Sequence, residues 1–356
     1  MSSDPAGNPT PPDAFNERRQ SRFDAGVPNL TRRARVVIIT GGSSGIGRCT
    51  AALFARHGWK VGIIARGTAG LAASAADIEQ AGADSATASA DVSDSKALRL
   101  AADAIVAQLG VPDLWINCAG NGVYGRFTAV PAHEYDRVTA VTYGGTVNGC
   151  RIALALMQPG NAGTIVNVCS ASAFHGLPLM SSYAGAKAAV RGFAQALQAE
   201  LTMARSPIRV STVFPPAVNT PFFSHATSHM GWPARPAPPV YQPEIIAAGI
   251  YQAAMTGCPE VIVSGTALAF SLATRVSPRL VAYLMSRLGF DGQLTRDPGH
   301  ASLEQPTLFE PADHASPVHG AFGGRARRRS LYQWFTHQSR AAGALALRTI
   351  RRPASP

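Results

Sequence analysis

Cysteine is scarce in this sequence and unsuitably spaced for metal binding. The five cysteines include no Cys-x-x-Cys pair, and no His/Cys cluster has the spacing of a zinc site. We therefore predict no metal, and we expect the thiols to be small core residues in a reducing, cytoplasmic compartment. The cysteines are Cys49, Cys118, Cys150, Cys169 and Cys258.

A long apolar run is also missing. A membrane-spanning helix needs roughly 18 consecutive apolar residues. The nearest candidate, residues 261–284, is interrupted by Arg275, Pro278 and Arg279. The N-terminus has no charged segment followed by an apolar one, so we predict no signal peptide. These absences favour a soluble, cytoplasmic protein.

Lysine is rare, and the positive charge is unevenly distributed. The formal net charge is +11, yet residues 36–320 hold 18 basic and 17 acidic residues. Residues 321–356 hold eight arginines and no acid. This basic tail is either a solvated appendage or a weak peripheral contact with an anionic membrane. The main body lacks the interleaved aromatic and basic residues of nucleic-acid readout, so we expect no nucleic-acid partner.

The sequence is rich instead in short β-branched runs that alternate with Ala-rich helical stretches. This alternation predicts an α/β fold, a doubly wound and mostly parallel sheet covered by helices on both faces. The strand candidates are residues 35–40, 60–65, 86–90, 113–117, 164–169, 208–214 and 260–264. The predicted divisions are a disordered arm (1–33), a catalytic domain (34–265) with a proline-rich lid loop (216–242), a helical extension (266–295), an irregular linker (296–330) and a basic tail with a helical pattern (331–356).

A glycine-rich stretch follows the first predicted strand and opens a predicted helix. Glycine permits a tight turn and a close approach of the backbone to a pyrophosphate, and the helix N-terminus supplies free N–H donors. The order of strand, loop and helix is the context that such a loop requires. The predicted cofactor-binding residues of this loop are Gly41, Ser43, Ser44, Gly45, Ile46 and Gly47.

The end of the second strand indicates which nucleotide binds. An acidic residue there would bind the ribose 2′-hydroxyl of NAD. Here the strand ends at Ala65 and is followed by Arg66, which suits a 2′-phosphate. NADP is therefore favoured, and NAD remains the alternative if Arg66 is an ordinary surface residue.

Three residues have the chemistry of carbonyl reduction. Tyr183 and Lys187 are four residues apart and so share one face of a helix. A free tyrosine has a pKa of about 10, which an adjacent ammonium would lower toward easier proton transfer. Ser170 ends a predicted strand, where it could orient the substrate oxygen and share its charge.

With these motifs in family order, the sequence resembles the short-chain dehydrogenase/reductase family over about residues 34–265, and a subgroup with a long C-terminal extension in particular. The resemblance implies a seven-stranded doubly wound sheet, nicotinamide-dependent oxidation or reduction, and a homodimer or homotetramer. It implies Tyr183 as general acid/base and Lys187 as the residue that holds the nicotinamide ribose. Its other cofactor contacts are Asp91 and Val92 on the adenine, Asn117, Ala119 and Gly120 beside the ribose, and the stretch of Pro215, Val218 and Thr220 near the carboxamide or pyrophosphate.

Two departures from the family pattern bear on catalysis. Pro216 stands where the family has glycine, which removes a backbone donor. Thr142 stands where a helix asparagine usually completes the catalytic group. The family's asparagine exposes a main-chain carbonyl to a water in a proton relay, and we expect that carbonyl to serve at Thr142 as well. A threonine can also distort the helix by bonding to the preceding turn.

The substrate is indicated only by the lid loop. Phe222, Phe223, Met230 and Trp232 either line an apolar pocket for a hydrophobic ketone, aldehyde or alcohol, or pack the loop onto the body. A non-catalytic NADP-binding sensor on the same fold is the alternative function. Every motif of the resemblance ends by Thr220, so we expect the chain beyond residue 296 to lie outside the cofactor site.

Overall fold

The computed structural model describes residues 34–295, 306–330 and 332. The predicted arm, residues 1–33, and the predicted basic tail after residue 332 lie outside the described residues. The chain divides into two units, residues 1–34 and residues 35–356, and the fold is that of the second unit.

The central feature is a seven-stranded parallel sheet in the order β3-β2-β1-β4-β6-β7-β9. The predicted fold is thereby confirmed, and each predicted strand lies within two residues of an observed one. Two further strands form a two-residue parallel ladder. The strands are β1 (Val36–Thr40), β2 (Lys60–Ala65), β3 (Ser85–Ser89), β4 (Leu114–Asn117), β5 (Val123–Tyr124), β6 (Thr164–Val168), β7 (Arg209–Phe214), β8 (Thr227–Ser228) and β9 (Glu260–Ile262).

Helices cover both faces of the sheet. Successive side chains of β1 point to opposite faces, so Val37 and Ile39 join one apolar core while Ile38 joins the other. The helices are α1 (Gly45–Arg56), α2 (Thr68–Gln80), α3 (Ser95–Leu109), α4 (Ala132–Thr139), α5 (Gly145–Met157), α6 (Ser181–Met203), α7 (Phe222–His225), α8 (Pro243–Thr256), α9 (Gly265–Val276) and α10 (Pro278–Leu288). The first core packs α1, α2 and α8 on the sheet, and the second packs α3, α5 and α6.

The strand order places a ligand crevice between β1 and β4. Chain order runs outward from β1 toward β3 on one side and toward β9 on the other. A doubly wound sheet binds its ligands outside the carboxyl ends of the strands at such a switch point. Gly41, Arg66, Ser170 and Pro215 lie at or just after the ends of strands of this sheet, so the sequence-predicted site residues share one edge.

Residues 306–330, here called the strap, return across the body after α10. The strap has one short helix, Gly323–Arg325, and is otherwise irregular. The Thr307 amide donates to the His225 carbonyl, and the Arg327 amide donates to the Val240 carbonyl. Backbone hydrogen bonds at both ends therefore attach the strap to the lid loop, residues 216–242. Within the described ranges, every helix is too short or too polar to cross a bilayer.

Candidate active site

The turn after β1 has the shape that a dinucleotide requires. Gly41 has a φ of 71°, and a Cβ there would lie 2.6 Å from the Ala119 Cα. Gly45 has a φ of 48°, and a Cβ on Gly47 would overlap the Gly41 carbonyl. Only glycine fits this combination of left-handed backbone and close packing. Helix α1 begins at Gly45, so its N-terminus faces the crevice and suits a pyrophosphate.

A cavity of about 520 Å³ extends from this turn to the predicted catalytic residues. Its volume lies in the usual range for cofactor and ligand sites. Most of the predicted site residues line it, and only Asn117 and Thr142 do not. The lining residues that the sequence predicted are Gly41, Ser43, Ser44, Gly45, Ile46, Gly47, Arg66, Asp91, Val92, Ala119, Gly120, Ser170, Tyr183, Lys187, Pro215, Val218 and Thr220.

The Asn117 side chain forms hydrogen bonds with other side chains and does not line the cavity. Its Oδ1 accepts from the Trp115 indole at 2.8 Å, and its Nδ2 donates to Asn167 Oδ1 at 2.9 Å. The residue is buried, and its amide joins β4 to β6. The expectation that the Asn117 side chain flanks the cofactor ribose is therefore corrected, because this side chain is fully used inside the sheet.

Tyr183 and Lys187 lie in the first two turns of α6. Lys187 is only 4% exposed, and its ammonium donates to the Val168 carbonyl at 2.7 Å. The same ammonium lies 5.7 Å from the centre of the Tyr183 ring. Ser170 caps the short turn after β6, where its hydroxyl accepts from the Ser172 amide at 3.2 Å. The strand end and the helix start thus bring the three predicted catalytic residues to one cavity wall.

Burial dominates the electrostatics of this group. It raises the pKa of Tyr183 above the ordinary value, while hydrogen bonding to Ser170 acts in the opposite direction. Burial also lowers the pKa of Lys187. We expected Lys187 to lower the pKa of Tyr183, but burial is the largest influence on that pKa and it raises the value. The phenol is therefore protonated at neutral pH, which is the form that can donate a proton.

Thr142 lies in an irregular turn of the helix that precedes α5. Residues 140–144 form a π-helical turn, and Thr142 is completely buried. Its carbonyl accepts from the Thr146 hydroxyl at 2.9 Å, so one lone pair of the expected relay oxygen is already used. Its own hydroxyl lies 3.4 Å from the Asn121 carbonyl. The helix is distorted at this residue, but the hydroxyl contacts Asn121 and not the preceding turn from which the sequence reasoning expected the distortion to come.

Asn121 is a site residue that the sequence reasoning missed. It lines the cavity, and both polar atoms of its side chain are shielded from solvent without a hydrogen-bond partner in the described part of the chain. Buried polar atoms are rarely left unpaired, so this amide indicates a polar ligand atom in the cavity. Its position directly after Gly120, at the end of the recognised motif, was the available signal.

The strap holds Arg66. The Nη1 atom donates to the Phe309 carbonyl at 2.6 Å and to the Leu308 carbonyl at 3.3 Å, and Nη2 donates to the Thr307 carbonyl at 2.5 Å. A guanidinium has five N–H donors, so two of them have no acceptor among the described residues. Arg66 lies on the cavity wall, where these two N–H groups are available to a ligand.

A second basic residue anchors the same part of the strap. Arg137 Nε donates to the Leu308 carbonyl at 3.1 Å, and its Nη2 forms an ion pair with Asp91. Asp91 also accepts from the amide and hydroxyl of Ser93. Because Asp91 lines the cavity while bound to these partners, it is positioned firmly beside the predicted adenine end.

The strap also reaches the glycine-rich turn after β1, which is the predicted phosphate-binding turn. The Pro317 carbonyl accepts from the Gly45 amide at 3.2 Å, and the Ser316 carbonyl accepts from Arg48 at 3.1 Å. Five strap residues line the cavity: Thr307, Pro311, Ala312, His314 and Ser316. The strap, although it lies beyond residue 296, therefore forms part of the wall of the candidate cavity.

The four large apolar residues of the lid loop were expected either to line the cavity or to pack the loop onto the body. Phe222 and Phe223 line the cavity, whereas Met230 packs in an apolar cluster nearby and Trp232 is 42% exposed. The Phe222 ring lies 5.3 Å from the Tyr183 ring, centre to centre. The catalytic end of the cavity therefore has an apolar wall.

Three of the five cysteines, Cys49, Cys150 and Cys169, are buried, whereas Cys118 and Cys258 are partly exposed. Burial raises the pKa of Cys49, Cys118 and Cys150 to about 12 and that of Cys169 to about 11. These thiols stay protonated at neutral pH, although Cys118 lies on the cavity wall.

Comparison with known proteins places this geometry in a family. Residues 35–231 match the family model described as short chain dehydrogenase. Levodione reductase from Leifsonia aquatica is 32% identical over 199 residues, which is 55% of this chain and 74% of that protein. A solved structure of levodione reductase superposes with a TM-score of 0.58 at 26% identity, over 67% of this chain and 100% of that chain.

Two further relatives differ in how much of their length is matched. The probable oxidoreductase EphD of Mycobacterium tuberculosis is 41% identical over 200 residues, or 56% of this chain. The matched part spans only 33% of the EphD sequence. The uncharacterized oxidoreductase YxnA of Bacillus subtilis is 29% identical over 300 residues, which is 84% of both chains. The similarity to YxnA therefore extends beyond the part matched by the family model.

Proposed function

Because this chain belongs to the short chain dehydrogenase family, we propose that it is an NADP-dependent oxidoreductase that interconverts a ketone or aldehyde with an alcohol. One observation carries the proposal. Ser170, Tyr183 and Lys187 converge on the wall of the same cavity that begins at the phosphate-binding turn. A protein that only senses the nucleotide has no need of this acid, its buried ammonium neighbour and a hydroxyl together.

The proposed mechanism uses the protonated phenol. A substrate carbonyl oxygen between Ser170 and Tyr183 would accept hydrogen bonds from both hydroxyls. The nicotinamide supplies the hydride in reduction and accepts it in oxidation. As negative charge develops on the oxygen, Tyr183 donates its proton and Ser170 shares the charge. The Lys187 ammonium then stabilises the tyrosinate that remains, and the reverse reaction runs the same proton transfer backwards.

The cofactor proposal concerns the two N–H groups of Arg66 that have no acceptor among the described residues. Two adjacent donors on a planar guanidinium suit the 2′-phosphate of NADP. No carboxylate follows β2 to bind the ribose 2′-hydroxyl of NAD instead. The three strap carbonyls fix the orientation of this guanidinium, so we propose that the strap positions Arg66 for NADP.

The substrate proposal concerns the catalytic end of the cavity. Phe222 and Phe223 of the lid loop, Phe270 of α9 and Met285 of α10 line it. An apolar wall beside a proton donor favours a hydrophobic carbonyl or alcohol. The name of the relative levodione reductase denotes an enzyme that reduces a ketone, which agrees with this class.

A panel of hydrophobic ketones, aldehydes and alcohols tests the proposal. Oxidation of NADPH, or reduction of NADP, is followed by absorbance with each compound. The proposal expects turnover with apolar members of the panel and a preference for the phosphorylated cofactor. Tight NADPH binding without turnover of any compound would favour the non-catalytic sensor. The homodimer or homotetramer implied by the family resemblance is measured separately by light scattering.

A further inference from the structure

Helices α9 and α10, here called the helical pair, expose an unusual amount of apolar surface. They carry six of the twelve large hydrophobic side chains that are exposed in the described residues. Scattered apolar residues on a surface are normal, but a contiguous group indicates a contact site. The six are Leu272 and Val276 on α9 and Leu280, Tyr283, Leu284 and Leu288 on α10.

The spacing of these side chains places them in a stripe on each helix. Leu280, Leu284 and Leu288 are spaced by four residues and so lie along one face of α10. Leu272 and Val276 have the same spacing at the end of α9. Only Ser277 separates the two helices, so the two stripes follow each other directly along the chain.

The same surface is positively charged. Arg275, Arg279 and Arg287 are exposed, and none forms an ion pair with a carboxylate of the described residues. The sequence contains no Asp or Glu between Val261 and Phe290. Apolar side chains combined with unpaired arginines are the composition of a helix that lies in a membrane interface.

The charge pattern also argues against a second copy of this chain as the occupant. A twofold interface places the same patch against itself. Here it would bring three arginines of one copy near three of the other, and the two helices themselves contribute no carboxylate. An anionic lipid surface attracts the same arginines, and its apolar interior accepts the apolar side chains.

We propose that the outer face of the helical pair is a peripheral docking surface for anionic phospholipid membranes. The opposite face of the pair lines the catalytic cavity through Ala267 and Phe270 of α9 and Met285 of α10. Docking therefore places the helices that form part of the cavity wall directly on the lipid surface. The link to substrate rests on the proposed function, whereas the docking itself does not.

The test uses the full-length protein and co-sedimentation with vesicles at low salt. One set of vesicles is phosphatidylcholine alone, and the other contains a fraction of phosphatidylglycerol. The wild-type protein is expected to bind the second set, and salt is expected to release it. Because each basic residue near an anionic surface contributes about 1 kcal/mol, the triple variant Arg275→Gln, Arg279→Gln, Arg287→Gln should bind at least about tenfold more weakly.

A second variant removes apolar side chains and leaves the charge. Leu280→Ser with Leu284→Ser should also weaken binding, because both residues face solvent in the patch. Its matched control is Leu100→Ser with Met203→Ser, which removes two apolar side chains from α3 and α6 that are even more exposed. The control should sediment with vesicles as the wild type does.

The basic tail needs its own control. The full-length triple variant Arg348→Gln, Arg351→Gln, Arg352→Gln removes three charges from the C-terminal sequence and leaves the helical pair unchanged. Our proposal expects this variant to retain most of the binding. Circular dichroism and NADPH titration of every variant show whether the fold is intact.

Three results would overturn the proposal. They are a wild type that ignores anionic vesicles at low salt, binding that is lost only in the tail variant, and helical-pair variants that change the oligomeric state but not the sedimentation. The last result would assign the patch to a second copy. Failure of the proposed catalysis is distinguishable from all three, because vesicle binding is measured without turnover.

Discussion

Leu308→Ala tests whether the strap positions Arg66 for a 2′-phosphate. Leu308 is 3% exposed and packs against Val123 and Val138. Its carbonyl accepts from both Arg66 and Arg137. Truncating a buried leucine to alanine costs about 3 kcal/mol, which corresponds to a roughly 100-fold larger open population of the strap.

Two measurements report the effect of opening the strap. Amide hydrogen exchange should accelerate in the segment 306–317 by up to about 100-fold, because exchange there reports strap opening. Fluorescence titration should show that the ratio of NADPH to NADH affinity falls, because Arg66 loses the carbonyls that orient it. Leu100→Ala is the matched control, since that leucine is 71% exposed and should change neither measurement.

The ratio of NADPH to NADH affinity distinguishes the two roles of the strap. A strap that only supports the fold would, when loosened, weaken the binding of both cofactors equally. An unchanged ratio with faster exchange would show that the strap covers the cleft without positioning Arg66. A higher ratio would show that the strap carbonyls compete with the 2′-phosphate, and our account of the strap would be refuted.

Four further outcomes are expected. Arg66→Asp should reverse or flatten the preference for NADPH over NADH in titration, and an unchanged preference would exclude Arg66 as the 2′-phosphate ligand. Asn121→Leu removes a buried amide that has no partner among the described residues, so catalytic efficiency should fall at least about tenfold while thermal stability is kept or rises. Thr142→Asn should keep or raise turnover, and a loss of more than about tenfold would reveal a specific role of the threonine. Burial raises the pKa of Tyr183 above 10.0, so the phenol keeps its proton up to that pH. The rate of reduction should therefore show no loss from tyrosine ionisation as the pH rises to 10.0. A decline in rate with a midpoint near neutral pH would contradict the raised pKa.

Local patterns were sufficient to predict the sheet and most of the cavity wall. The strands are short apolar runs that alternate with helices, and the carboxyl ends of parallel strands share one edge, so Gly41, Arg66 and Ser170 were expected to meet. The helix spacing of Tyr183 and Lys187 likewise needs no long-range information.

The errors concern side-chain partners that are distant in sequence. Asn117 was expected at the cofactor, but it bonds to Asn167, fifty positions away. The strap contacts Arg66 although the two are more than 240 residues apart in sequence. An irregular backbone has no sequence periodicity from which such a contact could be predicted. The raised pKa of Tyr183 depends on burial by several elements, which the spacing to Lys187 does not reveal.

The most direct test of the central claim is the Tyr183→Phe variant, which removes only the proposed proton donor. Phe222 packs against the ring, so the aromatic contact is kept and the fold should be undisturbed. NADPH binding by fluorescence titration should equal that of the wild type, while turnover of any carbonyl that the wild type reduces should be abolished. Turnover near the wild-type rate in this variant would contradict the assignment of Tyr183 as the general acid.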